Sequence, residues 1–244
     1  MRTMKAVIAT VALGAVGIAT SMADPVYSAN VVGFVNVTVH PTWNLIANPL
    51  NGTNNTLSTI LPSAPNGAYT MGWNSAAQAY TVWDAYLDAA NSPDGVTPGW
   101  YNNDTGNPST TTYAPGSAFF YFNPPSVGNT TLTFVGEVPQ VNLTSSIAGN
   151  YSLGSALVPS SPALTSANGF PAVDGMFYQT FNGVDQTYST QWWYLNALNS
   201  PDGGVGWYDN DSGAPVTPTP APGVGYFIFN PGVTLQWNMT FNVQ

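Results

Sequence analysis

Two long stretches of this chain carry the same order of residue types, and that agreement limits the open folds more than any other feature. Asn91-Ser92-Pro93-Asp94-Gly95 returns as Asn199-Ser200-Pro201-Asp202-Gly203, and Gly99-Trp100-Tyr101 returns as Gly206-Trp207-Tyr208. Asn103-Asp104 and Pro108 match Asn210-Asp211 and Pro215. Pro115-Gly116 leads into Phe119-Phe120-Tyr121-Phe122-Asn123-Pro124, as Pro222-Gly223 leads into Tyr226-Phe227-Ile228-Phe229-Asn230-Pro231. The copies lie 108 residues apart before the Trp-Tyr element and 107 from it onward. A match of this length marks an internal duplication. Two similar units of roughly 105–110 residues are expected, each large enough for its own core.

What precedes the duplicated part points outside the cytoplasm. The only cations, Arg2 and Lys5, stand ahead of an apolar run from Ala6 to Thr20, and Ser21-Met22-Ala23 offers small residues before a cut at Asp24. That is the pattern of a secretory signal peptide over residues 1–23. The run is shorter than the ~20 apolar residues a membrane anchor needs. The mature chain is expected to be secreted or held at the cell surface, without membrane insertion after cleavage. It carries eleven acidic residues and no lysine, arginine or cysteine. Nothing in it can neutralise phosphates, which excludes nucleic acid and anionic membrane surfaces as partners. Without disulfides it must hold together by packing alone.

The local patterns are those of strands. Val31 to Val39 and Trp43 to Ala47 open the first unit; Val141 to Thr144 and Tyr151 to Val158 open the second. Asn74-Ser75-Ala76-Ala77 and Asn182-Gly183 read as hairpin turns. Thr56 to Leu61 is one helical turn or a loop. Asp84 to Ala90 holds helix formers but is too short for a stable helix alone. The run 119–122 is apolar on both faces, as in a strand covered on both sides. Leu235 to Val243 alternates strictly, as does Thr131 to Phe134, the mark of half-buried antiparallel strands. No helical periodicity is sustained anywhere. The expected fold is all-β: two tandem antiparallel sandwich-like domains, 24–138 and 139–244, with barrel-like closure as the alternative.

The start of the mature chain, Asp24-Pro25-Val26-Tyr27-Ser28-Ala29-Asn30-Val31-Val32-Gly33-Phe34-Val35-Asn36-Val37, resembles a large set of secreted bacterial proteins without assigned activity. Leu45-Ile46-Ala47-Asn48-Pro49-Leu50, Gly99-Trp100-Tyr101, Pro115-Gly116 and Leu132-Thr133-Phe134-Val135-Gly136-Glu137-Val138 carry the resemblance further. It covers nearly the whole mature chain and implies export and duplication. It supplies no catalytic residues.

Each candidate site has a structural counterpart. Ser-Pro-Asp-Gly is first of all a turn: proline sets one corner, Asp caps through its side chain and Gly takes the positive φ. The alternative is calcium on the loop carboxylates Asp94, Asp104, Asp202, Asp209 and Asp211, since hard cations favour such oxygens. Trp100-Tyr101 and Trp207-Tyr208 are expected in the core, with exposed platforms for stacking sugars as the alternative. Catalytic equipment is thin. His40 stands before Pro41 at a strand end, no Gly-x-Ser-x-Gly elbow occurs, and the sole glutamate, Glu137, lies near the junction of the units. The chain is expected not to be an enzyme; a glycoside hydrolase working through an Asp pair is the only catalytic alternative. With no cation to pair them, the carboxylates are expected to escape depression by salt bridges. Acidification should then leave stability flat or raise it.

These readings favour a non-enzymatic structural or assembly protein of the cell exterior, such as a surface-layer, sheath or filament subunit. An extracellular polysaccharide-binding module is the alternative. For assembly, the segment Val32 to Thr38 with Val32, Phe34, Val35 and Val37 is expected to stand free at one end of the molecule. The end carrying Phe241 and Val243 would meet it in the next subunit, head to tail. The competing expectation is that the opening strand completes the sheet of its own domain.

Overall fold

The structure is a computed structural model in which residues 31–243 are described; the expected signal peptide, residues 1–23, and Asp24 to Asn30 lie outside them. The first half forms β1 (Val32–Val39), β2 (Thr42–Ala47), the single helical turn α1 (Leu57–Ile60), β3 (Tyr69–Met71), β4 (Trp73–Asn74), β5 (Ala79–Tyr80), β6 (Asp84–Leu87), β7 (Gly99–Asn102), β8 (Ala118–Asn123) and β9 (Thr130–Glu137). The second half forms β10 (Val141–Ile147), β11 (Asn150–Ser155), β12 (Met176–Asn182), β13 (Thr187–Tyr188), β14 (Trp192–Leu195), β15 (Gly206–Asp209), β16 (Pro215–Val216), β17 (Gly225–Asn230) and β18 (Leu235–Phe241). No helix among the described residues is long and apolar enough to cross a membrane.

The same strand order appears twice. One sheet runs β2-β8-β3-β6-β7 and the other β11-β17-β12-β14-β15-β16, with β13 paired on β12. All pairings are antiparallel and no sheet closes into a barrel. Each half adds a two-stranded ribbon, β1-β9 in the first and β10-β18 in the second. The alternation read in the sequence sets what the ribbons bury. Val37, Val39, Leu132 and Phe134 turn inward onto Ile46, Phe119, Tyr121 and Trp100 of the first sheet. Ile147, Trp237 and Met239 turn inward onto Tyr178, Trp207, Tyr226 and Ile228 of the second. Each half is thus a sandwich-like ribbon laid on a sheet, with an apolar cluster between the layers.

The two-faced apolar strand finds its reason here. In β8, Phe119 and Tyr121 face the core of their own half. Ala118 and Phe120 face the other way and pack with Leu45, Ala47 and Phe227 in a third core between the two sheets. Both faces are covered, and both must be apolar.

Two expectations are corrected. Asp84 to Leu87 is a strand, not a helix, because β3 and β7 flank it and satisfy its backbone. The opening strand does not stand free: β1 pairs with β9 of its own half along its whole length, from Val32 opposite Glu137 to Val39 opposite Thr130. β18 is likewise paired along its length, with β10 of its own half. In addition, Thr133-Phe134 and Thr240-Phe241, similar in sequence, are out of spatial register by two residues. Val37 lies opposite Leu132, and its equivalent Ser145 lies opposite Trp237. The turn after Asn230 is shorter than the one after Asn123, and the inward-facing alternation re-establishes itself two positions on.

Candidate functional site at the interface of the halves

The halves meet about an approximate two-fold axis, and the duplicated Pro-Gly elements make the contact. Gly116 has φ +89°, and a Cβ there would fall 2.6 Å from Leu157 Cδ2 of the second half. Gly223 has φ +75°, and its Cβ would overlap Val37 of the first half. Only glycine meets both demands, a left-handed backbone and no side chain against the neighbour. The backbones then join. Ala47 N–H donates to Gly223 O (2.9 Å), and its equivalent Ser155 N–H donates to Gly116 O (3.2 Å).

Two glutamines repeat the exchange. Gln186 Nε2 donates to Trp43 O (2.9 Å) and its Oε1 accepts from Trp43 N–H (3.1 Å). Gln78 does the same to Tyr151, at 2.9 and 3.0 Å. Each side-chain amide replaces a strand neighbour at the outer edge of β2 or β11, the edge the opposite half leaves open. Both glutamines sit in hairpin turns with positive φ, +50° at Gln78 and +55° at Gln186. That conformation is costly for a long side chain and aims the amide across the interface.

Beside this seam lies an apolar cleft of about 210 Å3 lined by Trp43, Met71, Tyr80, Phe120, Phe181 and Tyr188. Tyr80 and its equivalent Tyr188 are both partly exposed. Burial, and then a hydrogen bond with Tyr188, raise the Tyr80 hydroxyl above its ordinary value. The equivalent of Phe181 on the other side of the axis is Trp73. Its ring reaches Tyr80 (5.0 Å) and Phe227 (6.0 Å), and its indole N–H donates to Tyr151 O (2.8 Å). The smaller Phe181 leaves room that Trp73 takes up on its own side.

The residues singled out in the sequence fall elsewhere. Trp100 and Trp207 are each only 3% exposed, and Tyr101 and Tyr208 are buried as well. The indole N–H groups donate to Leu61 O (2.7 Å) and Leu164 O (2.8 Å). Their ring faces are covered, which corrects the sugar-platform alternative for these four residues. Of the assembly residues, Val35 and Val37 turn inward and Phe241 packs on the second core, while Val32, Phe34 and Val243 are exposed.

The aspartates do turn work. Asp94 Oδ1 accepts from Thr97 N–H (2.8 Å), Val96 N–H (2.9 Å) and the Ser92 hydroxyl (2.8 Å). Asp202 Oδ1 accepts from the Tyr208 hydroxyl (2.6 Å) and Gly204 N–H (2.9 Å). Asp209 Oδ1 accepts from Ser212 N–H (2.9 Å) and the Ser212 hydroxyl (2.8 Å), while Asp211 Oδ2 accepts from the Thr190 hydroxyl (3.0 Å). Asp104 is exposed in its turn. Thr97 chiefly, with Val96 and Ser92, holds the Asp94 carboxyl well below the usual range; Tyr208 lowers Asp202 and Ser212 lowers Asp209. No salt bridge is involved in these shifts; hydroxyl and amide donors lower the carboxylates in place of cations. Among the described residues no three of His, Cys, Asp or Glu gather as a metal site.

One buried acid went unread. Asp84, at the head of a segment that looked helical, is 1% exposed, and burial raises its carboxyl above the ordinary value against hydrogen bonds from Thr111 and Ser109. A groove of about 410 Å3 has Asp202 as the one acid among its lining residues, and that acid is engaged with Tyr208. His40 Nδ1 lies 3.2 Å from Asn129 Oδ1 at a strand end. No family model, no curated protein and no solved structure matches the chain.

Proposed function

We propose that the protein is a non-catalytic structural subunit of the cell exterior that works by associating with copies of itself. The observation that carries this reading is the outer face of the two ribbons. Asn36 pairs with Thr133 (2.8 Å), Thr144 with Asn238 (3.0 Å), Ser146 with Gln236 (2.9 Å) and Thr240 with Asn142 (3.2 Å), a ladder of uncharged amides and hydroxyls across both. Long uncharged β surface without lysine lacks the usual deterrents to association. The loop carboxylates of Asp94, Asp202 and Asp209 are meanwhile engaged in turns. The charged, apolar and small-residue pattern of residues 1–23 supports an exterior location for such a subunit.

A second reading, polysaccharide binding, is favoured by one observation: Trp43, Tyr80, Phe181 and Tyr188 line an open apolar cleft, and Trp83 lies against Trp43 at 5.9 Å. Aromatic faces of this kind suit sugar rings. Size-exclusion chromatography and electron microscopy of the mature chain separate the two. Oligomers or polymers support the subunit; a lasting monomer retarded on polysaccharide gels, with retardation lost in Tyr188→Ala, supports the binder.

A further inference from the structure

We propose that the first ribbon is the self-association surface, and that strand β1 pairs antiparallel, edge to edge, with β1 of a second copy. The inference rests on the subunit reading and names its contact.

The duplication supplies an internal control. On the outer face of the first ribbon Val32, Phe34 and Val135 are 67%, 70% and 61% exposed. In the second ribbon the same places hold Gln140, Asn142 and Thr240. Phe34 lies opposite Val135, as Asn142 lies opposite Thr240. Asn142 and Thr240 are hydrogen-bonded to each other there. The fold therefore does not require apolar residues at these places. Beside its Asn36–Thr133 pair the first ribbon carries an exposed apolar patch where its twin has amides and hydroxyls, a difference that marks an interaction surface.

Among the described residues no strand covers the edge beside that face. Glu137 exchanges both backbone hydrogen bonds with Asn51 (2.8 Å each), on the side away from β1. Glu137 and Val32 thus form a non-hydrogen-bonded pair, and by alternation Val32, Phe34, Asn36 and Thr38 point their N–H and C=O groups outward. Among the described residues β9 is the only strand neighbour of β1. The outward amides and the apolar side chains belong to the same residues, so an added strand meets both together.

A second copy fits this edge better than a charged partner. β1 carries no charge, and no lysine or arginine follows Lys5 to steer an acidic strand. Antiparallel pairing centred near Phe34 sets the two Phe34 rings side by side in a four-stranded sheet. It also sends the two Glu137 carboxylates to opposite ends. The contact is isologous and closes at two, unlike the open head-to-tail chain. The second ribbon, polar at the same places, remains outside it.

Sedimentation equilibrium of the chain from Asp24, across dilution and in low and high salt, tests this. The unaltered protein should be a dimer that salt does not weaken, since no ion pair holds it. The triple variant V32Q/F34N/V135T copies the second ribbon's residues and should keep its melting temperature. Its dimer dissociation constant should rise roughly 30-fold or more, the scale of losing an aromatic anchor. A folded variant that still dimerises overturns the contact. Polymers that persist in the variant also overturn it but leave the subunit reading standing. A wild-type monomer at every concentration sinks both. If the triple variant unfolds, Phe34→Asn alone must still weaken the dimer.

Discussion

The cores of the two halves differ most where their skeletons agree best. Thr70 lies opposite both Asp84 and Tyr121 in the first sheet; Tyr178 lies opposite both Trp192 and Ile228 in the second. The first niche is polar: the Asp84 carboxyl is buried, and its Oδ1 and the Tyr121 hydroxyl have no hydrogen-bond partner among the described residues. The second is apolar, with Tyr178 stacked on Trp192 at 5.6 Å. One strand order thus tolerates a carboxylate or an indole at the same point. Backbone pairing and inward alternation decide the fold, and individual core residues decide how stability responds to conditions.

The strongest way to break the equivalence of the halves is at the tryptophans they share. Trp100→Ala and Trp207→Ala should each cost about 3–5 kcal/mol, the scale for truncating a buried aromatic. Both rings also give up a bonded indole N–H, so chemical denaturation should show similar losses. A near-neutral result at either would mean that ring is not core.

The docking glycines come next. Gly223→Ala and Gly116→Ala should each destabilise by about 1–3 kcal/mol from backbone strain, with overlap added. Gly223 should be the more sensitive, because its Cβ would strike β-branched Val37, whereas at Gly116 it meets the flexible end of Leu157. Equal effects would show that the axis is better obeyed than the packing implies.

Acid should separate the halves without any large substitution. Asp84 has a folded pKa above its ordinary 3.8, so its favourable contribution is complete below that value and is lost as pH rises through the folded pKa. Asp94, Asp202 and Asp209 are shifted the other way; their contribution is present above 3.8 and is lost as pH falls through their folded values. Melting temperature should therefore rise on acidification from neutral, peak near the ordinary aspartate value and then fall. Asp84→Asn should remove the first limb and spare the second. A rising limb that survives in that variant would place its source elsewhere.

The interface glutamines should show the smallest effect. Gln78→Ala and Gln186→Ala should each cost about 0.5–1.5 kcal/mol, the net worth of a hydrogen-bond exchange. Gln186→Gly should recover part of the loss by relieving the positive φ. Failure of glycine to exceed alanine would remove strain from the account of that turn.

Much of the fold was legible in the residues. The alternation from Leu235 to Phe241 and the two-sided apolar run at 119–122 report burial that local chemistry must obey. What Pro115-Gly116 and Pro222-Gly223 do was not legible. A Pro-Gly pair reads as a turn, and only the second half supplies the Leu157 that forbids a side chain at Gly116. Gln78 and Gln186 were silent for the same reason, since a polar turn residue gives no sign of the strand edge it caps. Asp84 was hidden because Asp-Ala-Tyr-Leu has no period that separates one helical turn from a short central strand. Phe34 and Val135 stood in plain view, yet their meaning depended on spatial register. Matched by sequence likeness alone, Val135 aligns with Asn242 rather than Thr240.

The halves form one body, joined by the Pro-Gly turns, the glutamines and the core that Phe120 shares with Phe227. Differential scanning calorimetry of the mature chain tests it most directly. One transition, with calorimetric and van't Hoff enthalpies equal per cooperative unit and the same midpoint by near- and far-ultraviolet dichroism, is the predicted result. Two resolved transitions, only one of them moved by Asp84→Asn, would show halves that fold independently and would contradict it.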